Sequence, residues 1–295
     1  MNPKPLPAKL YKYRVFNVNT LRLLTESKVY YANPGSFNDP LDCKPTISVD
    51  VERSVLECLY YKFLVKTERT STAAKSAIAD LRCASSEHGD YLTDDRCLKK
   101  LLAEKIMPLL HNEMANKGVF SLSETWQSPL MWSHYADEHR GICIEFDTTD
   151  VRHPDIGAVD YCRLRSVKAS DLIDWKLQGS ADAARRVYDT YFFAKAPEWK
   201  YEKEWRDIRE PVGNADAGFS ITSIYFGLKC EAAVITSVVK LLHSATRSIA
   251  FYQIYSRDGS FKLHRRQVDP NEVVALGVRS SAMLDFKDVI PPELC

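Results

Sequence analysis

The sequence predicts an α+β protein: a single domain with a central, mostly antiparallel sheet and a helical insertion over residues 49–117. Three observations lead to this expectation. Short segments on both sides of that stretch alternate apolar and polar residues with a period of two, as strands do. Within the stretch the apolar period changes to about 3.6, which is typical of amphipathic helices. No repeat and no linker divides the 295-residue chain, so one domain is the simplest count.

The first 42 residues are predicted to form a strand, a helix, a second strand and a structured turn. The regular elements are expected at 10–14, 19–26 and 29–32. The turn covers Asn33 to Asp42, where two prolines and a glycine exclude a regular element. Within it, Asn38, Asp39 and Pro40 are expected to form an Asx-type turn that fixes the loop.

The insertion at 49–117 is predicted to contain two helices. The Ser-, Thr- and Ala-rich segment 67–88 lies between them and is expected to be mobile in its middle. Asp94 is the expected N-cap of the second helix. Pro108 is expected to end or kink that helix, because proline lacks the backbone donor that a helix interior needs.

The remainder of the chain alternates strands and helices. Strands are predicted at 118–123, 141–147, 159–163 and 221–226, and helices at 131–139, 181–193 and 231–245. A final hairpin is expected from 249–255 and 261–266, closed by the turn at 257–259.

The composition is that of an ordinary folded protein. Hydrophobic residues make up 45% and charged residues 27% of the chain, which excludes disordered, collagen-like and low-complexity classes. Forty Lys and Arg residues against 39 Asp and Glu residues leave a formal net charge of +1. A nucleic-acid partner would therefore need a local patch, because the field of the whole chain would not attract it.

The sequence leads us to expect a cytoplasmic protein that does not contact a membrane. Residues 1–9 are proline-rich and polar, and no run of about 18 apolar residues occurs. The eight cysteines show no CxxC pair and no regular spacing. We expect reduced thiols, without a zinc knuckle or a disulfide framework.

The aromatic and charged segment 199–208 is the most informative candidate for a site. As a strand, it would place Trp199, Tyr201, Lys203 and Trp205 on one face and Lys200, Glu202, Glu204 and Arg206 on the other. The glutamates would then be a rigid pair that stabilises a cation-like transition state or acts as acid and base. A solvated, salt-bridged edge is the alternative.

Three further side-chain groups are candidates. Ser121 and Ser123 share one strand face, but no GxSxG motif supports a serine nucleophile. His134 is either a structural histidine or, with Glu145, a base in a nuclease or hydrolase site; without HExxH, no metal site is expected. Arg14 ends a buried strand and needs an anionic partner, either a carboxylate such as Asp39 or a ligand phosphate.

Four segments together resemble a widespread bacterial family known as domain of unknown function 2971. They are LYKYR (10–14), FNDP (37–40), SLSE followed by PLMWSHYADEHRGICIEFD (121–147), and EWKYEKEWR (198–206). The resemblance covers most of the chain outside the helical insertion. The family name implies no activity.

A more distant resemblance is to ADP-ribosyltransferase-like domains. It rests on three features in order: a strand ending in Arg14, the pair Ser121 and Ser123, and the pair Glu202 and Glu204. The resemblance implies that the sheet is ADP-ribosyltransferase-like and that NAD is the substrate. Arg14 would hold the NAD diphosphate or ribose, the serines would shape the nicotinamide pocket, and Glu204 would be catalytic with Glu202 as helper.

Further candidates complete this hypothesis. Tyr31, Asn38 and Tyr135 join the NAD-binding set, and His134 joins the catalytic set. We expect Arg14, Asn38 with Asp39, the two serines, His134 and the two glutamates to line one cleft, because polar groups on buried elements need partners.

The favoured expectation is an NAD-dependent ADP-ribosyltransferase-like enzyme that modifies a macromolecule, as an anti-phage defence or toxin effector. The acceptor would be a protein or a nucleic acid, and a partner protein from a defence or toxin system is expected. Two alternatives remain open. One is a nuclease or hydrolase that uses His134 and Glu145 with the glutamate pair, and the other is a non-catalytic module that binds a nucleotide or a partner.

Overall fold

The computed structural model describes residues 4–67, 70–86, 91–149, 156–243 and 248–278. Its strands are β1 (Lys9–Arg14), β2 (Lys28–Tyr31), β3 (Thr46–Ser48), β4 (Gly118–Ser123), β5 (Ile142–Asp147), β6 (Ile156–Ala158), β7 (Ser166–Lys168), β8 (Glu204–Arg209), β9 (Gly213–Asp216), β10 (Ser220–Phe226), β11 (Ala250–Ser256) and β12 (Leu263–Val268). Its α-helices are α1 (Val18–Glu26), α2 (Arg53–Lys66), α3 (Ser71–Ser86), α4 (Tyr91–Met114), α5 (Pro129–Tyr135), α6 (Ala169–Gln178), α7 (Ala181–Phe193), α8 (Ala232–Leu242) and α9 (Pro270–Leu276). Short 3₁₀ helices lie at Pro34–Ser36 and Pro197–Glu202.

Eight strands form one large sheet in the order β12-β11-β10-β5-β1-β4-β8-β6. Neighbouring strands run antiparallel except β10 and β11, which are parallel. The predicted α+β class with a mostly antiparallel sheet is therefore confirmed. The final hairpin is confirmed as well, since β11 and β12 pair over six residues on each strand.

The central strand β5 is covered on both faces. Ile142, Ile144 and Phe146 lie in a core cluster with α8, while Cys143 belongs to a second cluster with Trp132 and Tyr225. Alternating side chains of a strand point to opposite faces, so the layers on both sides fix β5 and its neighbour β1.

The sheet is only narrowly joined between β1 and β4. β1 pairs with β5 along all six of its residues, but its ladder with β4 contains the single pair Tyr11 and Ser123. The backbone groups beyond that pair are not used in a β1–β4 ladder. This seam is where the sheet opens towards a cavity.

The stretch predicted as an insertion holds three helices, α2, α3 and α4, which share a core cluster with α6 and α7. Two expectations about it were wrong. Two helices were expected, but the segment between them forms a further helix, α3, because Ala74 and Ile78 are buried against the neighbouring helices. Asp94 lies inside α4, which begins at Tyr91, and is therefore not an N-cap.

Pro108 does not end α4, which continues to Met114. Ile106, Leu110 and Met114 are all buried on this helix, and their spacing of four residues places them on one face. Burial of that face outweighs the backbone hydrogen bond that proline removes.

Three predictions for the chain beyond residue 130 were displaced by local turn chemistry. The segment 199–208 is not one strand. A 3₁₀ helix begins at Pro197, a favoured first helical residue, and ends at Glu202, and the next residue, Lys203, has a φ of 45°. The strand expected at 159–163 is β6 instead, and the side chain of Asp160 accepts a hydrogen bond from the Cys162 amide in the following turn.

The helix expected at 131–139 ends at Tyr135, because residues 137–139 adopt positive φ values. The helix predicted at 231–245 is α8 in its described part, and residues 244 and 245 lie outside the described residues.

None of the helices in the described part of the chain combines the length and hydropathy needed to span a bilayer. The seven cysteines that the structure describes are free thiols, and Cys43 and Cys143 are buried.

Candidate functional site

A cavity of about 210 Å³ lies at the seam between β1 and β4. Seven of the sequence-predicted site residues line it: Arg14, Asn38, Ser121, Ser123, Tyr135, Glu202 and Glu204. Tyr30, Phe37 and Tyr13 add aromatic surface. The structure thus brings together side chains that lie up to 190 positions apart in the sequence.

Tyr31 does not line this cavity. Its side chain is fully buried, and its hydroxyl donates a 2.6 Å hydrogen bond to Oδ2 of Asp207. The alternation of β2 points Tyr30 to the cavity and Tyr31 into the core. The predicted role of Tyr31 in NAD binding is therefore not supported by its position.

His134 also lies outside the cavity lining. It is exposed on α5, with its ring near those of Tyr135 and Tyr201. Its neighbour Tyr135, the last residue of α5, reaches the cavity instead.

The turn at 37–42 forms as expected. The Asp39 carboxylate accepts a 2.8 Å hydrogen bond from the Leu41 amide, which is the predicted Asx-type turn. This turn places Asn38 and Asp42 at the cavity wall, while Asp39 itself is used by the loop.

The wall formed by β8 carries a buried network of charges around Arg206, which has no solvent exposure. Its Nη1 and Nη2 donate to both oxygens of Asp42 at 2.9 and 2.6 Å. Its Nε donates to Oε1 of Glu204 at 2.9 Å, and Nη2 donates to Oε2 at 3.0 Å. The Phe192 carbonyl accepts a further bond from Nη1, so the planar guanidinium is held on every side.

Lys195 connects the two glutamates. Its ammonium donates to Oε2 of Glu202 and, at 2.9 Å, to Oε2 of Glu204, and it lies 3.6 Å from Asp42. It occupies the short segment between α7 and the 3₁₀ helix. Sequence analysis missed both Lys195 and Asp42, because their importance arises from the approach of three distant segments.

The two glutamates have different environments. Burial raises the pKa of Glu202 above its ordinary value, against the opposing charge of Lys195. For Glu204, the charges of Arg206 and Lys195 outweigh the effect of burial and lower the pKa. The pKa values of the two neighbouring glutamates are therefore shifted in opposite directions, which is the pattern of carboxylates with separate roles.

The hydrogen-bonding capacity of the pair is split as well. A carboxylate has about four acceptor sites. Glu204 uses three for Arg206 and Lys195, and the Ser121 side chain supplies a further hydrogen bond. Glu202 accepts one bond on each oxygen, from Tyr135 at 2.6 Å and from Lys195. Of the two, Glu202 retains acceptor capacity toward the cavity.

The opposite wall, formed by β1, is cationic. Nε of Arg14 is buried and has no hydrogen-bond partner among the described residues, and burial lowers the pKa of this guanidinium. The Lys12 ammonium donates to the Ser121 carbonyl at 2.6 Å. Burial and the nearby charge of Arg14 lower the pKa of Lys12 to about 7.

Glu145, the other carboxylate considered for a nuclease site, belongs to a separate cluster. It accepts hydrogen bonds from Lys9 at 2.7 Å and from the hydroxyls of Thr222, Ser223 and Tyr225. Neither Glu145 nor His134 lines the cavity at the seam. The structure therefore does not assemble them with the glutamate pair.

Fold and site define an α+β protein with a sheet that opens at one seam, where a cationic wall faces a wall of ion-paired carboxylates. Residues 131–206 match a family model described as Protein of unknown function (DUF2971), which confirms the family resemblance over that segment. The match includes most of α5, all of β5 and the first residues of β8. It therefore contains Tyr135, Lys195, both glutamates and Arg206. No curated protein and no solved structure matches the chain.

Proposed function

We propose that the cavity binds NAD and cleaves the bond between nicotinamide and ribose, transferring ADP-ribose to a macromolecule. The observation that best supports this proposal is the convergence of Arg14, Ser121, Ser123, Glu202 and Glu204 on one cavity. These residue types occur in the same order in ADP-ribosyltransferase-like domains. Their convergence is a property of the fold that the sequence order alone does not require.

The chemical step needs a fixed negative charge near the ribose. When the C1′–N bond breaks, nicotinamide leaves as a neutral molecule with the bonding electron pair, and the ribose carbon becomes oxocarbenium-like. A preorganised carboxylate stabilises this charge. A nucleophilic oxygen or nitrogen of the acceptor then bonds to C1′ and loses its proton.

Because the Glu202 carboxylate has hydrogen-bond acceptor sites that its neighbours do not use, we place Glu202 against the ribose. The sequence had favoured Glu204 for this position. Tyr135 and Lys195 fix the Glu202 carboxylate from two sides. Glu204 then acts as a positioning residue, because it holds Lys195 and Arg206 in place.

The cationic wall suits the diphosphate. Arg14 has an unused donor in the cavity wall, and guanidinium groups bind phosphate oxygens through paired donors. Lys12 lies two residues before it on the same face of β1. At about 210 Å³, the cavity is smaller than the roughly 300–1,000 Å³ of sites that enclose a drug-sized ligand, so it would enclose the nicotinamide end and leave the adenosine at its mouth.

The direct test measures NAD binding by calorimetry and nicotinamide release by mass spectrometry. Glu202→Gln should reduce turnover by about 10²–10³-fold while NAD still binds, because the amide keeps the shape and removes the charge. Arg14→Ala should weaken NAD binding by about 10–100-fold, the typical value of a hydrogen bond to a charged group. Glu145→Gln is the matched control: it alters a buried glutamate outside the cavity and should leave turnover intact.

Three outcomes contradict the proposal in different ways. Binding of NAD without nicotinamide release in any condition would favour the non-catalytic nucleotide-binding module. Activity that requires a divalent metal and not NAD would favour a nuclease or hydrolase. Full turnover in Glu202→Gln would remove the proposed role of that carboxylate.

A further inference from the structure

The hairpin of β11, β12 and their loop 257–262, called here the basic hairpin, concentrates positive charge in a nearly neutral chain. Residues 256–268 contain four Arg or Lys residues and one Asp, whereas the formal charge of the whole chain is +1. The four cations are Arg257, Lys262, Arg265 and Arg266. None of them forms an ion pair with a described residue, although the described part of the chain contains 22 ion pairs.

The tip of the basic hairpin also presents an aromatic ring to solvent. The Phe261 side chain is 96% exposed, and Lys262 follows it directly. A large exposed apolar side chain has no role in packing the fold. Among cations that form no ion pair with a described residue, it resembles the interleaving of aromatic and basic residues that binds nucleic acid.

A row of stacked aromatic rings, from Trp126 through Tyr225 on β10 to Tyr252 on β11, adjoins one face of the basic hairpin. Trp126 stacks on Tyr225 with centroids 5.2 Å apart, and Tyr225 stacks on Tyr252 at 5.1 Å. The guanidinium of Arg265 lies 4.3 Å from the Tyr252 centroid and donates to the Tyr225 hydroxyl. Tyr225 in turn donates to Glu145. The Arg265 guanidinium is therefore held against the aromatic row, although the residue is exposed.

These observations lead us to propose that the basic hairpin and its aromatic row bind a single-stranded nucleic acid. The Arg and Lys side chains that have no acidic partner among the described residues would neutralise backbone phosphates. Unpaired bases would stack on Phe261 and on the outer side of the Arg265–Tyr252 pair, as bases do on aromatic and guanidinium planes. An acidic protein segment would use the cations but not the aromatic surface.

The surface adjoins the seam. Tyr11 lines the cavity and contacts Tyr225 edge-on at 6.0 Å. A bound strand would therefore lie beside the cavity. The binding inference does not rest on the NAD chemistry, and the two are tested separately.

The experiment is fluorescence anisotropy with labelled 12-nucleotide RNA and DNA of mixed sequence, titrated at several salt concentrations. Wild-type protein should bind the single strands, and its affinity should fall steeply with salt. Phe261→Ala should weaken binding by about tenfold through lost stacking. Lys262→Gln combined with Arg257→Gln should reduce the salt slope by about 1.4, since each phosphate contact on a single strand contributes about 0.7.

Matched controls separate a specific surface from general charge and from the cavity. Lys100→Gln combined with Lys105→Gln removes the same charge from an exposed part of α4 and should change little. Glu202→Gln should bind oligonucleotide like the wild type. The hairpin variants should bind NAD like the wild type.

The inference is overturned if no single strand binds at low salt, or if the α4 variant loses as much affinity as the hairpin variant. It is also overturned if polyglutamate competes as well as an oligonucleotide, because the surface then binds acidic protein. Binding of duplex as tight as that of single strands, together with unchanged affinity in Phe261→Ala, would exclude the stacking mode and overturn it as well.

Discussion

Two glutamates on the same sheet are almost completely buried but are stabilised in opposite ways. Glu145 on β5 is 1% exposed and accepts bonds mainly from hydroxyl groups, with Lys9 as its cation. Glu204 on β8 is 5% exposed and is held by two cations, Lys195 and Arg206. Hydroxyl donors satisfy a carboxylate without adding charge, whereas buried cations themselves require compensation.

The two regions also differ in what their buried charges face. Both oxygens of the Glu145 carboxylate accept hydrogen bonds from neighbouring side chains, and the cluster lies between packed strands. The network at the seam contains Asp42 and both glutamates against Lys195 and Arg206, and it faces a cavity whose other wall holds Arg14. Such an excess of fixed charge beside a cavity is costly to maintain, and it is the arrangement that stabilises developing charge.

The largest effect is expected for Arg206→Met. Removing this guanidinium leaves Asp42 and Glu204 buried without their main partner, so the free energy of unfolding should fall by about 3–5 kcal/mol. Urea denaturation measures it. The control is Arg140→Met, which removes an exposed ion pair with Glu138 and should cost less than about 1 kcal/mol. Equal losses in the two variants would mean that the network does not hold the seam together.

A smaller effect is expected for Glu145→Gln, about 1–3 kcal/mol at pH 7, because neutral donors surround most of the carboxylate. Burial raises the pKa of Glu145, but the bonds from Lys9 and Tyr225 outweigh it and lower the pKa from 4.5 to about 2. The folded state thus binds the proton more weakly than the unfolded state, and stability is lost as the pH falls from about 4.5 to 2.

The difference in unfolding free energy between wild type and Glu145→Gln should therefore shrink over that range, as followed by denaturation at each pH. A difference that stays constant from pH 7 to pH 2 would show that the charge of Glu145 is not what stabilises its cluster. Glu202 contributes with the opposite sign, because its pKa is raised.

The last expected effect is on the pH dependence of stability, and it concerns Lys12 in the cationic wall. A folded-state pKa of about 7 against an ordinary 10.5 means that the unfolded state binds more protons between these values. Stability should therefore rise with pH from about 7 to 10.5, and this rise should be weaker in Lys12→Met. NMR titration of ¹³C-labelled lysines measures the pKa directly, and a Lys12 value near 10.5 would contradict the prediction.

Much of the fold was predictable because it depends on local patterns. The alternation of apolar residues in β5 and the helical period around α2 and α4 follow from the burial of one face of each element. The seven site residues that line the cavity were also predictable, although only from motifs taken together. The errors occurred where turn chemistry or packing decided the outcome, as at Pro197, which starts a 3₁₀ helix, and at Pro108, which stays inside α4.

By itself, the sequence determined the class of fold, the strands that carry Arg14 and Ser121, and the presence of a glutamate pair near residue 203. The tertiary structure alone decided which carboxylate has free acceptor sites. Lys195 and Asp42 approach Glu204 only after distant segments have folded together, and their charges then lower its pKa and occupy its oxygens. The sequence alone also could not decide whether Tyr31 and His134 line the cavity. A shift of one residue in a strand, or of one turn in a helix, decides whether a polar side chain reaches it.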